Sequence, residues 1–125
     1  MRILYVDDEA DIREVAELSL GLNPAWEIRT AGSGAEALSV IDDWTPQLVL
    51  LDVMMPMMDG PQTLEAIRQR RSADELPVIF ITARVLATDR SRLMGLGAAG
   101  VIAKPFDPMK LAPDVAAIVK DHGRV

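Results

Sequence analysis

Leu48-Val49-Leu50-Leu51-Asp52 is a run of consecutive apolar side chains that stops on a carboxylate. A strand with one wet face alternates apolar and polar residues. One that is apolar at successive positions is buried on both faces, as in a parallel sheet covered by helices. The run is too short for a helix, so Leu48–Leu51 reads as a strand of that kind. Outward from it, Ile3–Val6, Val78–Ile81 and Val101–Ala103 repeat the pattern, and Glu27–Ala31 fits a fifth, weaker strand.

The segments between these runs carry helical period. Asp11 is expected to cap a helix that turns Ile12, Val15, Ala16 and Leu20 inward and ends near Gly21. Ser33 caps a second helix running to about Trp44, with Ala37, Leu38 and Ile41 inside, and Glu36 completes a capping box. Pro61 suits the first position of a third, whose Leu64 and Ile67 face in. A fourth spans roughly Ala87 to Leu96. The fifth spaces Leu111, Val115, Ile118 and Val119 along one face before His122 and Gly123 finish it. Strand then helix, five times over, with right-handed crossovers, places helices on both faces of a five-stranded parallel sheet. The expected class is α/β, doubly wound, in three layers.

The 125 residues suit a single domain, 1–125, and contain no cysteine, which excludes disulfides and thiolate metal sites. No apolar stretch approaches the roughly 18 to 20 residues of a bilayer span, and Asp7 and Asp8 interrupt the amino terminus before a signal segment can form. A cytoplasmic location with no membrane contact is expected. Thirteen basic against 19 acidic residues give a net charge of -6, so direct nucleic-acid binding is not expected. Arg68, Arg70 and Arg71 form the tightest basic cluster, placed where cations suit a helix end.

The polar residues that follow the strands are more informative. The first strand runs into Asp7-Asp8-Glu9, the third into Asp52, the fourth into Thr82 and the fifth into Lys104-Pro105. In an open parallel sheet all carboxyl ends share one edge, and ligands bind there. Two carboxylates about 4 Å apart repel by roughly 4 kcal/mol at an effective dielectric near 20, so Asp7, Asp8 and Asp52 together need a counter-charge. A hard, oxygen-preferring dication supplies it, and partial hydration favours magnesium over calcium. Taken alone, Asp7-Asp8 also fits a solvated loop with a capping role, and Lys104 fits an ordinary surface lysine. Thr82 alone can simply satisfy a neighbouring backbone group. Taken together, an acid pair, a third aspartate, a hydroxyl and a lysine suit phosphoryl transfer, with Asp52 as nucleophile.

At this point the sequence resembles the receiver domain of two-component response regulators, across almost its whole length. The matching pieces are Val6-Asp7-Asp8-Glu9, Leu51-Asp52-Val53-Met54-Met55-Pro56 with Asp59-Gly60-Pro61, Ile81-Thr82-Ala83, and Gly97-Ala98-Ala99-Gly100 leading to Lys104-Pro105-Phe106. The resemblance implies a flavodoxin-like (βα)5 fold with strand order 2-1-3-4-5. It implies that Asp52 takes a phosphoryl group from the phosphohistidine of a sensor histidine kinase or histidine phosphotransfer protein. Asp7 and Asp8 would hold Mg2+ with Asp52 and the backbone carbonyl of Met54, Asp8 directly or through water. Lys104 would pair with the phosphoryl group, Thr82 would close onto it, and Lys104-Pro105 would be cis. The domain would catalyse only its own phosphorylation and dephosphorylation.

One departure matters. The position three before the lysine is aromatic in most receivers and turns inward with the threonine; here it is Val101. Valine lacks the reach for that switch. Either output runs through backbone and helix shifts, or this is a relay or phosphorylation-independent receiver with weak output, or Val101 simply packs as a strand residue. Met54 and Arg84 flank the phosphate pocket and are expected to tune the lifetime of the bond. Met55 is expected to pack beneath its loop and Met57 to occupy a position often held by glycine, while Trp26 and Trp44 cover strand and helix ends. The downstream partner is expected on the face of the fourth helix, fifth strand and fifth helix, near Arg90, Arg92, Lys110 and Lys120, with the chain a monomer or weak homodimer. Two rivals fit less well. An aspartyl phosphatase needs an acid where Met54 stands, and a flavodoxin-like cofactor binder needs a phosphate loop where Asp7-Asp8-Glu9 would repel one.

Overall fold

The computed structural model describes residues 1–84 and 86–122. Its elements run β1 (Arg2–Val6), α1 (Ala10–Leu20), β2 (Glu27–Ala31), α2 (Gly34–Trp44), β3 (Leu48–Asp52), α3 (Gly60–Arg68), β4 (Val78–Thr82), α4 (Ala87–Gly95), β5 (Gly100–Ala103) and α5 (Leu111–Asp121). Every strand pair is parallel and the sheet order is β2-β1-β3-β4-β5. The chain steps one way from β1 to β2 and the other way from β2 onward. With right-handed crossovers, that reversal puts α1 on one face and α2, α3 and α4 on the other.

Alternate strand residues divide between the two cores, as strand geometry requires. Leu4, Val6, Val49, Leu51, Val78, Phe80 and Val101 meet Ala37, Ile41, Leu64, Ile67 and Leu93 on one side. On the other, Ile3, Tyr5, Leu48, Leu50, Ile79, Ile81 and Ile102 meet Ala16, Leu20, Leu111, Val115 and Val119. The two central strands that precede Val53 and Ala83 are buried throughout, whereas β2, at the sheet edge, alternates in exposure. That alternating exposure explains the weaker apolar pattern of Glu27–Ala31.

Several local expectations need correction. Asp11 lies inside the first turn of α1; Glu9 holds the cap position and its side chain makes no cap bond. The Glu9 N–H is bonded instead by Asp7 Oδ1 at 2.9 Å, which leaves Asp11 to act through the helix dipole. Val15 faces outward, because it sits about 100° around the helix from Ala16, on which the buried stripe is centred. Ser19 takes the inward place and donates to the Val15 carbonyl at 2.7 Å. Ser33 does accept the Glu36 N–H, but the Glu36 carboxylate reaches back to Gly32 N–H, so that box is displaced by one residue. The reciprocal box forms at α3, between Asp59 and Gln62. That helix begins at Gly60, making Pro61 its second residue, and α4 ends at Gly95 with Leu96 as its cap. Gly123 lies outside the described residues.

Arg70 pairs with Asp42 of α2 at 3.1 Å, and Arg68 donates to the Leu76 carbonyl at 2.8 Å, so this basic cluster serves packing. Trp44 bonds Glu27 and lies under the Arg29 guanidinium, covering the outer end of β2. Trp26 packs partly buried against the core on the α1 and α5 side.

Gly60 ties α3 to the end of β3. Its N–H donates to the Val53 carbonyl at 2.9 Å, and a Cβ there would stand 2.7 Å from the Asp52 carbonyl oxygen and 2.8 Å from Val53 Cα. Those neighbours are backbone atoms that have little room to yield. Gly60→Ala is therefore expected to lower stability by about 1 to 3 kcal/mol, read as a lower urea midpoint at unchanged slope.

Candidate functional site

The carboxyl ends of β1, β3, β4 and β5 converge. Asp7 is fully buried and Asp52 is 3% exposed, while Asp8 is open to solvent. One carboxylate oxygen from each of Asp7, Asp8 and Asp52 lies within 4.8 Å of the others. Lys104 Nζ reaches across from the far strand to Asp7 Oδ2 at 2.9 Å, Asp52 Oδ2 at 3.3 Å and Glu9 Oε1 at 3.3 Å. Lys104 thus supplies part of the counter-charge that the acid cluster demands. The bond between Lys104 and Pro105 is cis.

Backbone pairing sets these positions. Asp7 N–H bonds the Ala31 carbonyl, Val53 N–H bonds Ile81, and Lys104 N–H bonds the Thr82 carbonyl at 2.8 Å, so each polar tip leaves the sheet beside the next. Thr82 is 2% exposed, and its hydroxyl accepts the Arg84 N–H at 3.0 Å; among the described residues its own proton meets no acceptor. The Met54 side chain is largely exposed, and its backbone N–H lies close enough to the Asp52 carboxylate to favour the charged form. Val101 is buried in the core on the α4 side. Met55 is buried, and Met57, fully exposed, adopts a φ of 72°, the left-handed region that glycine occupies most easily.

Burial, and then the charge of Asp7, push the Asp52 carboxyl up to about 6, against the opposing pull of Lys104 and the Met54 N–H. For Lys104, burial disfavours the charge, but its bond to Asp7 and the charges of Asp52 and Asp7 prevail and hold it above the ordinary lysine range. Burial foremost, and then Asp7, raise the Tyr5 hydroxyl well above its usual range.

Three contacts were not anticipated. Glu9 joins Lys104. Tyr5 donates its hydroxyl to Asp7 Oδ2 at 3.1 Å, and Arg13 Nη1 donates to the Asp7 carbonyl at 2.8 Å. The Tyr5 contact had a signal, since residues two apart on a strand share a face. The Arg13 contact depends on how α1 lies over β1, which periodicity does not specify.

All the donors are oxygens, and three carboxylates within such a span suit a hard dication of magnesium type. A neighbouring lysine on the same acids adds a group able to contact an anion brought to that ion.

Residues 3–116 match the family model described as response regulator receiver domain. A probable transcriptional regulator, ycf27, of Pyropia yezoensis is 37% identical over 124 residues, covering 99% of this chain and 49% of that protein. The response regulator MprA of Mycobacterium avium is 39% identical over 121 residues, covering 96% and 51% respectively. The chain thus spans about half the length of these curated relatives. Among solved structures, the chemotaxis protein CheY4 of Vibrio cholerae superposes with a TM-score of 0.84 at 27% identity, covering 94% of this chain and 97% of that one.

Proposed function

We propose, because this chain belongs to the response regulator receiver family, that Asp52 accepts a phosphoryl group from the phosphohistidine of a sensor histidine kinase or histidine phosphotransfer protein, and that the new charge alters a protein-binding surface. The observation that carries this reading is Lys104 Nζ bridging Asp7 and Asp52 from a third strand. In the transfer the P–N bond of the donor breaks and a P–O bond to Asp52 forms, with the electron pair left on the imidazole. Asp52 must be ionised to attack. A carboxyl near 6 is already largely ionised at neutral pH, and a bound cation would favour the charged form further.

Asp7, Asp8, Asp52 and the Met54 carbonyl would hold Mg2+, which when bound neutralises charge on the phosphoryl oxygens. Lys104 needs only a small reorientation of Nζ to leave Asp52 and contact the incoming group, and the Thr82 proton can serve another phosphoryl oxygen. A charge near -2 on Asp52 then biases the loops that carry Thr82 and Lys104. The surface best placed to be read is that of α4, β5 and α5, where Arg90, Asp114 and Ile118 border a groove of about 320 Å³. Arg90, Arg92, Lys110 and Lys120 are exposed on or beside it, which suits an acidic partner. Buried Val101 favours output through helix and backbone shifts. Among the described residues, no helix is long and apolar enough to cross a membrane.

Incubation with acetyl phosphate and magnesium is expected to add one phosphoryl group to the intact mass, and excess chelator is expected to prevent it. An unchanged mass with magnesium present would exclude the reading.

A further inference from the structure

Both carboxylate oxygens of Asp7 accept hydrogen bonds, and Oδ1 keeps a lone pair for a cation. Its Oδ1 accepts the Glu9 N–H at 2.9 Å, and its Oδ2 accepts both Lys104 Nζ at 2.9 Å and the Tyr5 hydroxyl at 3.1 Å. The carboxylate is fully buried, so each donor replaces a lost water. Lys104 is the donor that must swing away when an anion arrives on Asp52. Tyr5 is the one that cannot, because its ring is fully buried in the core on the α1 and α5 side.

We propose that Tyr5 is a positioning residue for phosphoryl transfer: its hydroxyl keeps Asp7 oriented toward the cation while Lys104 is released to the phosphoryl group. Two independent contacts support the role. The hydroxyl bonds Asp7, and the ring meets Phe106 edge-on, with centroids 6.4 Å apart and planes at 73°. Phe106 lies two residues beyond Lys104, on the segment that carries the lysine. One rigid side chain therefore spans the acid that holds the cation and the loop that moves the ammonium. Without the hydroxyl, Lys104 becomes the remaining side-chain donor on Asp7 Oδ2 among the described residues, and its departure leaves that oxygen bare. The lysine is then retained on Asp7 and delivered late to the phosphoryl oxygen.

This inference rests on the phosphoacceptor reading above, and the test separates the two. Tyr5→Phe keeps the ring and its contact with Phe106. At saturating magnesium and acetyl phosphate, it is expected to slow adduct formation about tenfold, the scale on which outer partners of metal ligands act. Tyr5 is the single tyrosine of the chain. Labelling its ζ carbon therefore gives one NMR signal, which is expected to shift on adding magnesium and again on adding beryllofluoride to the wild-type protein. A ζ signal unmoved through both additions, or a Tyr5→Phe rate equal to wild type, would overturn the assignment. If wild type takes no adduct, the phosphoacceptor reading itself fails, and the magnesium titration of the labelled tyrosine still decides whether Tyr5 responds to the ion.

Discussion

Asp52→Asn is expected to abolish the phosphoryl adduct and, in the same protein, to raise stability at neutral pH when no divalent ion is present. The first effect follows from the proposed role of Asp52 as nucleophile, since an amide offers no carboxylate oxygen to phosphorus. The second follows from burial. Asp52 has its carboxyl pushed up from 3.8 to about 6. Between those values the folded chain binds more protons than the unfolded chain, so stability falls as pH rises through that window and stays lower above it. At about 1.4 kcal/mol per unit, and with solvent relaxation taking a share, the cost at pH 7.5 is on the order of 1 to 3 kcal/mol. Asparagine keeps the shape and removes the charge. Urea melts in chelator are expected to show the variant ahead at pH 7.5, with the gap closing as pH falls toward 4. Equal or lower stability of the variant at pH 7.5 would contradict the account. Added magnesium should narrow the gap, because wild type gains a ligand that the variant binds less well.

Lys104→Met is expected to do the reverse. It removes the cation that touches Asp7, Asp52 and Glu9, leaving the buried Asp7 with the Tyr5 hydroxyl and the Glu9 N–H. Breaking a buried pair from one side typically costs about 3 to 5 kcal/mol. The upper end is not expected here, because Asp52 can take up a proton and shed part of the repulsion. Lys104 titrates above the ordinary lysine range, so its contribution is fully present at neutral pH and is lost only as strongly alkaline solution is reached. Melts in chelator at pH 7.5 should therefore show a loss of about 3 kcal/mol, smaller at pH 5. Magnesium should recover more stability in the variant than in wild type, since it meets the same acids without a competing ammonium. Stability unchanged in chelator would show that Lys104 does not carry the counter-charge.

Much of this was legible along the chain. Four of the five strands were marked by consecutive apolar residues, because burial on both faces leaves no place for a polar side chain. Asp7, Asp52, Thr82 and Lys104 stood out because each directly follows such a run, and parallel strands bring all their carboxyl ends to one rim. The Asp59–Gln62 box was also there to be read, an acid with a glutamine three residues later ahead of an apolar face, but Pro61 drew the helix start one residue late. Val15 was misplaced because a valine at helical spacing looks the same whether the buried stripe is centred on it or one residue beyond.

The succession of strands and helices along the chain and the two-faced burial are determined by the sequence itself, because hydrophobic period is a local property. The strand–helix alternation it reveals then implies parallel strands with their polar ends on one rim. Which oxygen each donor meets was decided only by the tertiary structure. Lys104 lies 97 positions from Asp7, and its contact depends on how four strands twist and how far each tip projects. The Tyr5 bond to Asp7, the Arg13 bond to its carbonyl and the lift on Asp52 arise from the same cause. They depend on ångström distances and on excluded water, which exist only once the sheet has closed under its helices.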